Sequence, residues 1–270
     1  LQFRLSGQTG VTNLKYDKAA TEQLEAIYRG PDIVGQRAQT LRLLGLKPGE
    51  SVIDIGSGPG FLCTQMAEMV GASGRVRGVD ISPVMVDRAT RRNPDRWISF
   101  AVGDATSLPD DDATYDAVVS IQVAEYVADI GKFCREALRV LKPGGRALIM
   151  ATDWEAIAWY STQPDRMRRV LSAFAPHCAD SALPRTLARR LREAGFTLGR
   201  VTPYPILNTA WTDDSYSCRV IPFITSYVRR QKTVPDDELD AWAAEQADLG
   251  RRGSYYFVSC RVFFEASKPR

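Results

Sequence analysis

The sequence predicts an α/β fold, a doubly wound parallel sheet with helices on both faces, and three observations carry that reading. Short β-branched runs alternate with amphipathic helical stretches between about residues 51 and 151. The first of these runs, Ser51-Val52-Ile53-Asp54-Ile55, passes straight into Gly56-Ser57-Gly58-Pro59-Gly60, and an apolar helical stretch follows at once. With 270 residues, 44% of them hydrophobic, the chain can bury one sizeable core and still carry insertions, so two independent domains are not required.

Taken in order, residues 1–16 are polar with little periodicity and form an arm that ends at Tyr16-Asp17. Helices are expected at about 18–29 and 33–44, separated by Gly30-Pro31-Asp32, where Asp32 can cap the second. Gly45 and Lys47-Pro48-Gly49 stop that helix. Val52, Ile53 and Ile55 suit a buried parallel strand, and 61–70 is the helix after the glycine turn. A second strand over 75–79 ends in Asp80, Ser82-Pro83 opens a helix to about Arg92, and a third strand at 97–102 leads to Gly103-Asp104-Ala105. The fourth strand is 115–120, followed by a helix over 130–141 that Lys142-Pro143-Gly144-Gly145 ends, and the fifth strand is 146–151.

Beyond residue 152, tryptophan, tyrosine, proline and arginine crowd between the last sheet elements, where specificity is expected. A first insertion, 153–180, is expected to be helical over 154–161 and 164–175. An amphipathic helix at 183–194, stopped by Gly195, feeds a sixth strand at 196–201. A second insertion at about 203–253 precedes a closing strand at 255–265. The organisation is therefore an N-terminal arm and helical cover (1–34), a ligand-binding core (35–152), and insertions plus closing strands of the same domain (153–270).

Gly56, Gly58 and Gly60 remove the Cβ from alternate positions of the segment facing a helix N-terminus, so a ligand can touch the main chain there. The spacing is not the dinucleotide pattern G-x-G-x-x-G, because the third glycine comes one residue early and Phe61 fills the expected slot. No Gly-Lys-Ser/Thr follows to hold a triphosphate. Asp54 at the strand end would repel a pyrophosphate but could orient a bound amino group. In this arrangement, Val52-Ile53-Asp54-Ile55-Gly56-Ser57-Gly58-Pro59-Gly60, the chain resembles the class I S-adenosylmethionine-dependent methyltransferases, whose first motif is apolar-apolar-Asp-apolar-Gly-x-Gly-x-Gly. Asp80 at the end of strand two, Gly103-Asp104-Ala105 after strand three and the Leu-x-Pro-Gly-Gly turn from Leu141 extend the resemblance.

That resemblance implies a Rossmann-like sheet of seven strands in the order 3-2-1-4-5-7-6, strand seven antiparallel, with helical lid insertions, and S-adenosylmethionine as cofactor. It assigns Asp54, Gly56, Ser57, Gly58 and Gly60 to the cofactor cradle and Asp80 to the ribose diol. Ile81 and Met85 would flank the adenine, Asp104 and Ala105 would read its amino edge, and Gln122 would lie beside the cofactor. Tyr16, Tyr28 and Arg37 of the N-terminal cover would reach its methionine end.

Strand four is not followed by Asn/Asp-Pro-Pro-Tyr, which argues against exocyclic amines of nucleic acids and glutamine amides as acceptors. The expectation is direct displacement onto a small-molecule acceptor, with oxygen or carbon favoured over nitrogen, contacted by Tyr126, Trp154, Tyr160, Trp211 and Tyr216. His177, the single histidine, is the expected general base, with Asp153 orienting it or holding the acceptor; Tyr160 and Glu155 compete for the role. Arsenite methylation through Cys178 and Cys218 is one alternative, and a non-catalytic or repurposed cofactor-binding protein is another. The 35 basic residues are balanced by 32 acidic ones, so a nucleic-acid partner is not demanded. The arginines of 166–192 suit solvated helix faces. With no apolar run of spanning length and no leader pattern, the expectation is a cytoplasmic protein without a membrane partner, monomer or homodimer. Five scattered cysteines suggest neither a disulfide framework nor a metal site.

Overall fold

The computed structural model of the protein describes residues 18–94 and 97–270. Its strands are β1 (Ser51–Ile55), β2 (Arg75–Asp80), β3 (Ile98–Val102), β4 (Tyr115–Ile121), β5 (Leu141–Trp159), β6 (Thr197–Asn208) and β7 (Phe257–Ser267). They form one sheet in the order β3-β2-β1-β4-β5-β7-β6, in which β7 is antiparallel to both β5 and β6 and the other pairs are parallel. This is the order and the strand direction that the resemblance implied. The helices are α1 (Lys18–Tyr28), α2 (Pro31–Leu44), α3 (Phe61–Val70), α4 (Pro83–Arg92), α5 (Ile130–Val140), α6 (Pro164–Phe174), α7 (Pro184–Glu193), α8 (Tyr216–Gln231) and α9 (Asp236–Arg251).

Central position explains the composition of β1. Val52 packs into the core layer of α2 and α3 with Met66, Val76 and Phe263, whereas its neighbour Ile53 packs into the opposite layer with Phe133, Ala137 and Leu187. A third apolar cluster forms a helical cap: Phe174, Ile224, Tyr227, Trp242 and Phe257 join α6, α8 and α9 to the far ends of β5 and β7. Helix ends follow local chemistry. Gly45 adopts φ 54° and returns its N–H to the Leu41 carbonyl, and the Ser82 hydroxyl caps α4 ahead of Pro83.

Several local expectations are corrected. Residues 154–159 are strand, not helix: after a bulge that begins at Asp153, β5 pairs with β7 again through Ala158 and Trp159. The Trp159 ring is then fixed edge-on against Trp242 (5.3 Å) and Phe257 (4.8 Å), a tertiary demand that overrides local helical periodicity. Lys142-Pro143-Gly144-Gly145 forms a bulge inside β5, between the pairs Tyr115–Leu141 and Ala117–Arg146. Strand β6 runs on to Asn208, and Pro203 and Pro205 are tolerated because β6 is the sheet's edge. Asp32 does not cap α2; its Oδ2 accepts from the Tyr216 amide at 2.7 Å and from Asn208 Nδ2 at 3.1 Å, tying α2 to the start of α8.

Candidate active site

The three glycines of the turn after β1 take φ of 79°, 51° and 80° and do different jobs. A Cβ on Gly56 would stand 2.1 Å from Val123 Cγ2, and one on Gly60 would stand 2.9 Å from Asn93 Nδ2 and 3.0 Å from Ala89 Cβ, so both are required by packing. Gly58 is open to a chamber, its first neighbour being the Tyr28 hydroxyl at 3.7 Å. The Gly56 and Ser57 amides donate to the Val79 carbonyl at 2.7 and 3.0 Å, hanging the turn on β2.

Asp80, at the end of β2, closes the unit. Its Oδ2 accepts from the Gly58 amide and its Oδ1 from the Ser82 amide, each at 2.8 Å. Burial pushes its carboxyl above the usual range, and these two amides pull against that rise. Gly56, Gly58, Asp80, Ile81 and Met85 line one end of the chamber, together with Asp104, Ala105 and Gln122. Asp104 Oδ1 is engaged locally by the Thr106 amide (2.7 Å) and hydroxyl (2.8 Å). Gln122 holds φ 57°, a conformation uncommon outside glycine, while its amide donates to the Met150 carbonyl and its Nε2 to Thr152 Oγ1, both at 2.9 Å.

Asp54, Ser57 and Gly60 do not line the chamber but lie under its floor. Asp54 is buried with Cys63 Sγ donating to its Oδ2 at 3.5 Å; desolvation pushes its carboxyl up to about 7, opposed by that thiol contact and aided by the charge of Asp80. Of the expected cover residues, Tyr28 lines the chamber. Arg37 does not; it donates to the Tyr28 carbonyl at 2.6 Å and to Gln65 Oε1 at 3.3 Å, holding Tyr28 from behind. Tyr16 lies outside the described residues.

Most of the remaining lining is apolar. Tyr126, Trp154 and Tyr216, expected on the acceptor side, are in its wall. Leu24, Ile27, Val127, Val220 and Phe223 join them and were not singled out, because an apolar residue on an amphipathic helix looks the same whether it meets a core or a ligand. Tyr160 is 48% exposed on the molecular surface, and Trp211 packs edge-on against Tyr255 at 5.4 Å; neither reaches the chamber. Among the described residues, Asp80 and Asp104 are the only charged side chains in the lining.

His177 and Asp153 are not brought together. The His177 ring is buried one layer behind the wall, stacked on Phe174 at 3.8 Å and edge-on to Trp154 at 4.6 Å and Tyr126 at 5.7 Å. Its Nδ1 lies 2.8 Å from the Phe174 carbonyl, and burial pushes the imidazole down to about 4 against the raising effect of the Phe174 and Ala175 backbone. The Asp153 carboxylate is held by Arg185 through Nε at 2.8 Å and Nη2 at 3.0 Å, and it accepts from the Ala156 amide at 3.1 Å. Glu155 also pairs with Arg185, at 2.9 Å. Cys178 Sγ donates to the Ala175 carbonyl at 3.6 Å, burial pushes its thiol up to about 12, and neither it nor Cys218 lines the chamber.

Glu125, for which the sequence carried no signal, is fully buried beside the lining residue Tyr126. Its Oε1 accepts from the Thr152 amide at 3.2 Å, while its backbone carbonyl accepts from Ala179 (2.8 Å) and Asp180 (3.0 Å). One residue thus joins the loop after β4, strand β5 and the first insertion.

A family described as a methyltransferase domain matches residues 53–149. A 2-methyl-6-phytyl-1,4-hydroquinone methyltransferase of Synechocystis is 39% identical over 46% of this chain and 38% of its own length. An arsenite methyltransferase of Halobacterium salinarum is 28% identical over 72% of this chain and 49% of its own length. The chain thus spans about half the length of the curated relatives it matches, or less. The structure of a Haemonchus contortus phosphoethanolamine N-methyltransferase 2, in complex with phosphomonomethylethanolamine and S-adenosylhomocysteine, superposes with a TM-score of 0.62 at 20% identity, covering 94% of this chain and 58% of that one. At that identity the likeness concerns the fold. No helix among the described residues is long and apolar enough to cross a membrane.

Proposed function

We propose, from the premise that residues 53–149 belong to the class I S-adenosylmethionine-dependent methyltransferases, that this chain methylates a small apolar acceptor related to the quinones by direct displacement. The observation that carries the proposal is the mixed lining of one chamber. A glycine turn and two acids contribute to it, and aromatic and aliphatic side chains make up most of the rest. The glycine turn and the acids suit a nucleoside-bearing cofactor. The open face of Gly58 admits a ligand against the main chain, Asp80 offers a carboxylate for a ribose diol, and buried Met85 offers an apolar contact for an adenine.

When bound, the cofactor supplies a methyl group on a sulfonium, already activated for displacement. What remains for the protein is alignment and exclusion of water. Trp154, Tyr126, Phe223 and Val220 support both, since a flat or apolar acceptor packed against them would displace solvent from that surface. An ammonium or phosphate acceptor group would meet no opposite charge on that side among the described lining residues, which favours oxygen or carbon as the nucleophile.

Isothermal titration with S-adenosylhomocysteine tests the cofactor, and no binding by folded protein would end the proposal. Release of S-adenosylhomocysteine from S-adenosylmethionine across phenolic, hydroquinone, indole, amine and arsenite acceptors then tests the class. Turnover with a hydroquinone or phenol is expected; turnover with arsenite or a phosphorylated amine alone would refute the acceptor assignment.

A further inference from the structure

Glu25 joins the helix that covers the chamber to the elements that form its floor. It is buried, whereas Glu22, Gln23 and Ala26 beside it on α1 are exposed. Its Oε1 accepts from Arg88 Nη1 at 3.1 Å and lies 3.3 Å from Arg92 Nη2, and its Oε2 accepts from Arg29 Nη2 at 2.9 Å. Burial alone would raise the carboxyl, but Arg88 and Arg92 outweigh it and hold the group below its ordinary value, so it is ionised at neutral pH.

The partners carry the connection further. Arg88 and Arg92 are one turn apart on α4, the helix that brings Met85 into the chamber. Arg92 also donates to the Pro59 carbonyl inside the glycine turn, and its guanidinium sits 3.9 Å from the centroid of the Phe61 ring at the start of α3. The Arg37 guanidinium lies 5.4 Å from that centroid, and the Tyr28 ring lies 6.0 Å from it. Leu24, Ile27 and Tyr28 line the chamber from α1, with the Tyr28 hydroxyl nearest to Gly58. A ligand lying on Gly58 is therefore covered by a helix whose one buried carboxylate is bound to α4.

We propose that Glu25 is a positioning residue of the cofactor site: its pairing with Arg88 and Arg92 holds α1 closed over the chamber, and cofactor exchange requires that pairing to break. The proposal rests on the S-adenosylmethionine reading. The arginines are only about a quarter exposed (27% and 23%), so loss of the carboxylate leaves two guanidiniums without their partner, and α1 is released from α4.

The test is the rate at which tritiated S-adenosylhomocysteine leaves the protein into excess unlabelled ligand. Glu25→Gln is expected to speed release by about tenfold or more, as removal of a charge-assisted bond to a partly buried group does. Wild-type release is expected to quicken with added salt, and release from the variant to lose most of that dependence. Arg88→Gln, which spares Arg92 and its contact to the turn, is expected to act in the same direction, and the double variant to release no faster than Glu25→Gln alone. It also keeps the test open should Glu25→Gln fail to fold. Wild-type release rates and salt dependence in the folded variants would overturn the proposal while leaving the cofactor reading intact. Failure of the wild type to retain S-adenosylhomocysteine at all would overturn both.

Discussion

The Asp80 carboxylate holds the Gly58 amide at 2.8 Å, so the acid that ends β2 and the middle glycine of the turn after β1 form one hydrogen-bonded unit. Asp80 therefore shapes the cradle as well as offering it a charge. Asp80→Ala is expected to weaken S-adenosylhomocysteine binding by roughly 1.5–3 kcal/mol and to lower stability by about 1 kcal/mol, because the Gly58 and Ser82 amides lose their acceptor. Titration calorimetry and thermal melts read the two effects separately. Undiminished affinity would remove Asp80 from the site.

Gly56 and Gly58 are expected to respond differently to the same change. In Gly56→Ala the new Cβ meets Val123 at 2.1 Å with φ at 79°, so the fold itself is expected to lose about 1–3 kcal/mol. In Gly58→Ala the Cβ projects toward the chamber, where Tyr28 at 3.7 Å is the first neighbour, so the main loss is expected in cofactor affinity. Melting temperature and affinity measured on both variants check the contrast; equal melting temperatures would contradict it.

What was legible in the sequence is what the backbone demands locally. The turn from Gly56 to Gly60 and the acid at position 80 announce themselves because only glycine fits those dihedrals and because strand ends recur at regular spacing. The residues expected on the acceptor side were only partly legible. Tyr126, Trp154 and Tyr216 reach the chamber, but Trp211, in the loop before α8, packs on Tyr255 instead, and Tyr160 is left on the surface because β5 runs on as strand through Trp159. That extension depends on pairing with β7 about a hundred residues later, which no local pattern encodes. Asp153 and His177 were placed near each other by order along the chain, yet Arg185 claims the acid and an aromatic cluster claims the imidazole.

His177 is expected to report acid stability. Burial places its folded value at about 4, below the ordinary 6.5, so the unfolded chain takes up the proton first as pH falls. Its contribution is therefore complete above about pH 6.5 and is lost as pH drops toward 4. In His177→Phe that part of the pH dependence of melting should vanish. Because the ring stands behind Trp154 and Tyr126, turnover is expected to stay near wild type, whereas loss of a general base would cost roughly 10²–10⁴-fold. A loss of that size with unchanged cofactor affinity would restore the imidazole to the reaction.

Asp54 links the cradle to pH. Its carboxyl is raised to about 7 chiefly by desolvation, against the Cys63 thiol and with help from the charge of Asp80. In the free protein the raised value means that stability contributed by the neutral acid is present below the ordinary value of 3.8 and is lost as pH climbs through 7. A ligand ammonium held above the turn reverses the balance, because it favours the carboxylate. Below pH 7 the group must give up a proton when such a ligand binds. S-adenosylhomocysteine affinity is accordingly expected to rise with pH between about 6 and 8, and proton release, counted by calorimetry in buffers of different ionisation enthalpy, to shrink over the same interval. Asp54→Asn removes the ionising group while keeping its shape, so the slope should flatten. An equal slope in wild type and variant would show that Asp54 stays neutral beneath the turn and takes no part in holding the ammonium.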